Sequence, residues 1–484
     1  MTPARAEARQ LAPGGFSGFT SGKTKGQGMV GDRKRIWGWY FFDWASQPYN
    51  TLLLTFVFGP YFAEIARGYY MGAGLDEEAA KAAAQAYWGW GLAIASLIIA
   101  VLAPVLGAIA DGTGRRLVWV WAFSACYVIG AAGLWWVAPG GEAGMLFWAV
   151  LLFGLGFVGM EFATIFTNAL MPSLTQSDDL GAISGTGFAF GYLGGLVALI
   201  VMLLFFAEGA DTGLTLLGIP PLFGLDTEAR EGTRFVGPFT ALWYVVFMIP
   251  FFLWVKEPRT ERRPLHLERA LASLGDLIRS LRYRRSLTAY LLSSLFYRDA
   301  LNALYGFGGI YASGVLGWSI TQIGIFGIVG VVTAMIVAFI GGRADRAYGP
   351  KPVIVASILV LILVCIVIVG MTRESLWGLA LDPASSLPDA IFFGCGALIG
   401  AAGGSLQAAS RTMMARHTTP DRATEAFGLY ALSGKVTSFL APALIALATM
   451  ISGSQRIGIA PLIVLFLIGL FLLSFVRPRG EMKA

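Results

Sequence analysis

Stretches of about 20 mostly apolar residues recur along nearly the whole 484-residue chain, the length at which an α-helix crosses the hydrocarbon core of a bilayer. A soluble fold is excluded by the same property. With 56% hydrophobic residues, 13% charged and a mean hydropathy of +0.68, the chain lacks the polar surface needed to cover itself in water. Twelve spans are expected, near 37–66, 85–110, 117–138, 145–171, 182–207, 236–256, 287–314, 321–342, 352–371, 389–414, 423–450 and 458–477.

Positive charge sets the orientation. With the N-terminus inside, 27 of the 35 Lys and Arg fall in inside segments, six fall outside, and Arg298 and Lys435 lie within spans. Basic residues accumulate in cytoplasmic loops, so both termini are expected in the cytoplasm of a multi-pass inner-membrane protein. The net charge of +6 is therefore a topology signal. A nucleic-acid role is excluded because no soluble module presents a basic groove.

Residues 1–35 are rich in Gly, Ser, Ala and Lys without an apolar core and are expected to form a disordered cytoplasmic tail. The first span then serves as an uncleaved signal anchor, and Met29 offers a second candidate start. Residues 36–256 and 287–477 form two six-span halves, with 478–484 as a C-terminal tail. Between the halves, segment 257–286 places Leu267, Leu271, Leu274, Ile278 and Leu281 at spacings of four and three among Arg269, Arg279, Arg282, Arg284 and Arg285. That pattern makes a basic amphipathic helix suited to an anionic membrane surface. Cys126, Cys365 and Cys395 are scattered through apolar helices, and His266 and His417 lie in inside segments. No metal cluster or cofactor site is expected, and carboxylates are the expected proton carriers.

Charged residues within spans are costly, about 2.5–3.5 kcal/mol each on insertion scales, so they call for a reason. Tyr40, Asp43, Gln47 and Asn50 share one helix face in the first span, beside Pro48, which bends it. Glu161, Thr164 and Asn168 stripe the fourth. Ser294, Arg298, Asn302 and Tyr305 share a face of the seventh, with Asp299 a quarter-turn away, and Gln407, Ser410 and Arg411 lie in the tenth. Two readings stay open for each charge. Arg298 can hold a substrate carboxylate, or it can neutralise Asp43, Glu161 or Asp299 as a buried pair. Lys435, in the eleventh span, is a counter-charge or a ligand. Arg411 is expected at the cytoplasmic rim, where it can snorkel. Gly187, Gly191 and Gly195, and Gly396, Gly400 and Gly404, recur every four residues. This spacing permits close helix packing.

A short motif appears twice. Gly107-Ala-Ile-Ala-Asp111-Gly-Thr-Gly114-Arg115-Arg116 is echoed by Gly341-Gly-Arg343-Ala-Asp345-Arg346-Ala-Tyr348-Gly349-Pro350-Lys351, with one extra residue before Gly349. On this pattern the chain resembles the major facilitator superfamily. The resemblance implies an all-α membrane protein with twelve transmembrane helices in two six-helix bundles, a cavity lined by the first and fourth helix of each half, and alternating access. It also implies that Asp111 faces the start of the eleventh helix and that Arg115 and Arg116 join a cytoplasmic charge cluster. Gly107, Asp111, Gly114, Arg115, Arg116, Asp345 and Arg346 are thus the expected gating residues.

The segments Trp37-Gly-Trp39-Tyr-Phe-Phe-Asp43-Trp44-Ala45-Ser46 and Phe58-Gly-Pro60-Tyr61-Phe62 resemble the vacuole-effluxer-like branch. So do Asn168-Ala-Leu-Met-Pro172, Ser184-Gly185-Thr-Gly187-Phe188-Ala-Phe-Gly191-Tyr192-Leu-Gly194-Gly195, Gly403-Gly404-Ser-Leu-Gln407-Ala-Ala-Ser410-Arg411 and Phe427-Gly428-Leu-Tyr430-Ala-Leu-Ser-Gly434-Lys435. Gln47-Pro48 stands where that branch commonly has a small pair. The branch implies export of neutral amino acids. The expected substrate or proton site is Asp43, Gln47, Asn50, Glu161, Asn168, Arg298, Asp299, Asn302, Gln407 and Lys435. The expected ligand is a small polar molecule, with proton coupling, and the expected state is a monomer. An enzyme would need a Cys/His cluster or a Ser/His pairing, and ATP drive a phosphate-binding Gly-rich loop; none is visible. A multidrug or lipid exporter is the alternative, because an acidic cavity with aromatic walls also suits amphipathic cations. A sensor or scaffold that no longer transports would be expected to lose the intramembrane charges.

Overall fold

The computed structural model describes residues 25–140, 143–175, 177–210, 212–257, 267–318, 320–382 and 385–478. The expected tail at 1–24, the linker start at 258–266 and the chain end at 479–484 lie outside the described residues. Helix α1 (Lys25–Pro48) begins inside the segment read as tail. It continues through a π-helical stretch (Tyr49–Phe56) and a break at Val57 into α2 (Phe58–Gly72). The break has a local cause. Pro60 has no N–H to give, and a Cβ on Gly59 would stand 2.7 Å from the Leu54 carbonyl oxygen, so the regular ladder cannot continue there.

The remaining helices of the first half are α3 (Glu77–Thr113), α4 (Arg116–Gly133), α5 (Ala143–Asn168), α6 (Leu180–Phe205), the short α7 (Glu231–Arg234) and α8 (Val236–Trp254). The connector α9 (Leu267–Leu281) follows, then α10 (Arg285–Leu316), α11 (Ile320–Tyr348), α12 (Pro350–Gly370) and α13 (Leu387–Ala415). The chain ends in α14 (Ala423–Lys435), α15 (Leu440–Ser452), α16 (Gln455–Gly458) and α17 (Ala460–Ser474). The only strands among the described residues are β1 (Ser375–Leu376) and β2 (Leu379–Ala380), a small antiparallel hairpin.

Among the described residues, ten helical stretches are long and apolar enough to cross a membrane. Two further long helices, α1 with its π-helical continuation and α10, occupy the places of the first and seventh expected spans and carry the polar stripes. Leu274 and Leu277 of α9 are buried while Ile278 is 52% exposed, which turns the apolar face about one position from the expected one. This helix packs against α3 and α10.

Among the described residues, the main helix contacts between the first and second halves of the chain are α3 with α14, α6 with α11, α6 with α13, and α5 with α14. Glycines set these distances. A Cβ on Gly107 would fall 2.6 Å from the Thr424 carbonyl oxygen, and one on Gly428 would fall 2.5 Å from that of Ala103. The α6–α11 contact repeats the device, with Gly342 and Gly185 backbone to backbone. Such an approach leaves no room for a side chain.

Gly428→Val is therefore expected to force α3 and α14 apart and to cost roughly 1–3 kcal/mol, the usual penalty of overpacking. Thermal unfolding of the purified protein in detergent checks this, and an unchanged midpoint would refute the close-contact account.

Candidate functional site

Arg411 of α13 is a buried charge with partners on three other helices. Its Nη1 lies 2.9 Å from Asp43 Oδ2 of α1 and 3.2 Å from Asn168 Oδ1 of α5. Its Nε donates to Ser184 Oγ at 3.0 Å and Nη2 to the Ser184 carbonyl at 2.8 Å. The guanidinium lies over the rings of Trp39 (4.5 Å) and Phe188 (4.2 Å). Gly187 makes this possible, because a Cβ there would meet Asp43 Oδ2 at 2.6 Å and Trp39 at 2.8 Å. Arg411 is only 3% exposed, so the expected snorkelling position at the rim is corrected. A carboxylate, an amide oxygen and a backbone carbonyl draw the side chain inward, satisfying more donors than the rim would.

A second pair is less buried. Lys435 Nζ of α14 donates to Glu161 Oε1 of α5 at 2.8 Å and sits 4.8 Å from the Phe157 ring centroid. Two of the three carboxylates expected as partners of Arg298, Asp43 and Glu161, are thus engaged by other cations. Arg298 instead donates Nη1 to the Tyr430 carbonyl at 2.8 Å and lies 4.0 Å from the centroid of that ring. Asp299 turns away from it to accept the Ala441 N–H at 2.9 Å. That contact caps α15 just past the break that separates it from α14, a structural task for a buried carboxylate.

The other stripe residues scatter. Gln407 donates to Tyr192 Oη at 3.3 Å, joining α13 to α6. Gln47 packs against Gly195 of α6. Asn50 reaches only Met160 Sδ, at 3.9 Å, and Asn302 is exposed. Asp43, Asn168 and Arg411 come together at one point and Glu161 and Lys435 at another.

Two clasps join the halves at the basic face, the one carrying the Gly114 and Gly349 turns. Asp111 Oδ1 accepts from Arg116 Nε at 2.9 Å and Nη2 at 2.6 Å, and its Oδ2 accepts the Glu425 N–H at 2.8 Å. The carboxylate thereby sits at the N-terminus of α14, where the helix dipole favours negative charge. Arg116 also donates to the Pro420 carbonyl. Gly114 adopts a left-handed φ of 66° to end α3, whereas Arg115 is exposed. In the second copy, buried Asp345 packs on Gly181 in the first turn of α6 and stands 3.7 Å from Arg416. Arg346 pairs with Asp179 at 2.9 Å.

Sequence reading did not anticipate Ser184, Trp39, Phe188 or Arg416 as partners. Ser184, Trp39 and Phe188 lie inside the motif segments quoted above, which was the available signal. Arg416 carried none, because its partner comes from a distant helix.

A mostly helical chain with ten helices apolar enough to cross a membrane and ion pairs between its helices is of the class of major facilitator superfamily transporters. Residues 31–483 match the family described as vacuole effluxer Atg22 like, and the chain belongs to that family. It is 27% identical to the uncharacterised MFS-type transporter YxiO of Bacillus subtilis (strain 168) over 90% of this chain and 94% of that one. With autophagy-related protein 22-1 of Aspergillus niger it shares 22% identity over 62% of this chain and 48% of that protein. Among solved structures, the proton:xylose symporter XylE superposes with a TM-score of 0.68 at 12% identity, covering 93% of this chain and 97% of that one. A bacterial homologue of the iron transporter ferroportin, in an outward-facing state, gives 0.61 at 14% identity over 92% and 98%. These likenesses establish the fold.

Removing one partner of a buried pair strands the other. Arg411→Ala is expected to lower stability by about 3–5 kcal/mol, while the Asp43→Asn/Arg411→Leu double variant recovers much of it. Unfolding midpoints of the single and double variants measure this coupling, and simple additivity would refute it.

Proposed function

We propose that this chain is a secondary active transporter of the bacterial inner membrane that moves a small polar solute, amino acids being the expected class, by alternating access. It works in the direction of efflux, coupled to protons. The α1 unit and α10 add two spans to the ten apolar ones, giving twelve helices in two six-helix bundles, 36–256 and 287–477, joined by the basic linker 257–286. Both termini lie in the cytoplasm, so the basic face is the cytoplasmic one. The transporter acts as a monomer without a cofactor.

One observation carries this reading. Asp43–Arg411 and Glu161–Lys435 each take one partner from each half. If the halves rock apart at the basic face, both pairs must separate, and each freed carboxylate then needs a proton, water or a solute cation. A fixed bundle would have no need to place its intramembrane charges on the dividing surface. The Asp111 and Asp345 clasps lie on the same surface and hold the cytoplasmic side closed in this conformation. In this conformation both carboxylates are held by protein cations, so an amphipathic cation would have to displace Arg411 or Lys435 to reach them.

Reconstitution into proteoliposomes with radiolabelled amino acids tests the proposal. Asp111→Asn is expected to slow turnover on the order of tenfold, the scale of a typical coupling energy between sites, while ligand-induced thermal stabilisation persists. Parallel loss of binding would argue against a gating role. Flux indifferent to an imposed pH gradient would remove proton coupling and leave transport itself standing.

A further inference from the structure

Positive charge is in excess at the centre of the fold. Asp43 is matched by Arg411 at 2.9 Å and Glu161 by Lys435 at 2.8 Å, and Asp299 is spent on the Ala441 N–H. Among the described residues, no carboxylate lies within ion-pair distance of Arg298. A guanidinium has five N–H donors; here Nη1 finds the Tyr430 carbonyl, and no other protein acceptor is present among the described residues. One face of the group is covered by the Tyr430 ring, and its edge is backed by Gly434, where a Cβ would come within 2.6 Å of Cζ.

Polar residues follow it along α10. Asn302 and Tyr305 follow Arg298 on the same face of α10 and are exposed, yet the Tyr305 hydroxyl packs on Gly403 of α13. Tyr305 is thus partly exposed while its hydroxyl reaches α13, on the helix face that it shares with Arg298. A fork of free N–H groups fits the two oxygens of a carboxylate, and an uncompensated cation in this setting favours an anion over a neutral or cationic group.

Resting on the transporter reading above, we infer that Arg298 receives the carboxylate of the solute and that Lys435 is a resident stand-in for the solute's ammonium group on Glu161. A carboxylate alone then suffices for recognition, since Arg298 is already vacant. An amine alone does not, because it must displace Lys435 without the gain at Arg298. A zwitterion uses Arg298 first and competes with Lys435 for Glu161 second.

The test uses the purified full chain with three pools of probes: the twenty amino acids, the matching carboxylic acids without the amino group, and the matching amino-acid amides. Thermal stabilisation is read for wild type, Arg298→Ala, Arg298→Lys and Lys435→Gln, with proteoliposome counterflow alongside. Both acid pools are expected to stabilise wild type and the amides are not. Arg298→Ala should weaken both acid pools by at least about tenfold, the worth of a charge-assisted hydrogen bond, while Arg298→Lys retains part of the affinity. Lys435→Gln should tighten amino acids and leave the deaminated acids unchanged.

Equal stabilisation by amides, or acid affinity unchanged in a folded Arg298→Ala, overturns the assignment and spares the transporter. A wild type stabilised by none of the pools, or by hydrophobic cations alone, overturns both the assignment and the amino-acid reading. Acids bound but never carried would overturn transport and leave the anion site standing.

Discussion

Arg411 is the point on which the two halves depend. A lone guanidinium in hydrocarbon is costly, and this one is made tolerable by Asp43 on α1, Asn168 on α5 and Ser184 on α6. All three partners come from the first half of the chain, whereas Arg411 belongs to the second. The same desolvation that makes the charge expensive therefore fixes how the halves dock. Trp39 and Phe188 close the remaining faces of the guanidinium with aromatic rings, which excludes water without adding a competing charge.

Docking around a buried charge works only where backbones can come close. Gly187 leaves room for the Asp43 carboxylate and Gly191 for the backbone behind it. The α3–α14 and α6–α11 crossings use glycine in the same way. Contacts of this type have little interlocking relief, so two helices can separate without first disengaging long side chains. The clasps built on Asp111 and Asp345 supply the directionality that smooth surfaces lack. Each sets a carboxylate of one half at the first turn of a helix in the other.

Legibility in the sequence followed locality. The apolar runs, the duplicated motif and the polar stripes depend on spacing along one helix, and all three could be read directly. Asp111 was placed at the start of the eleventh helix by family pattern, and its bond to the Glu425 N–H is a local cap reached across the halves. Pairing was not legible, because periodicity says which residues share a face but nothing of which faces meet. Arg411 lay too close to the end of its span to look buried, so Arg298 was offered the partners that Arg411 and Lys435 hold. Asp299 looked like a site residue because no rule of spacing reveals the break between α14 and α15 that it caps.

Buried ion pairs bring little net stability, since the cost of stripping water from two charges nearly cancels their attraction. That near-balance would suit a surface that opens, as the proposed alternating access requires. While the pairs stay dry, removing either partner is severe. Once water enters between the halves, Asp43 and Arg411 regain hydration and their separation costs little. On the proposed cycle the barrier to opening lies in admitting water at the basic face, where the Asp111 clasp and the backbone contacts of Gly107 and Gly428 would form the outer seal. Asp43–Arg411 then fixes the closed pose, and the outer seal governs how often it is left.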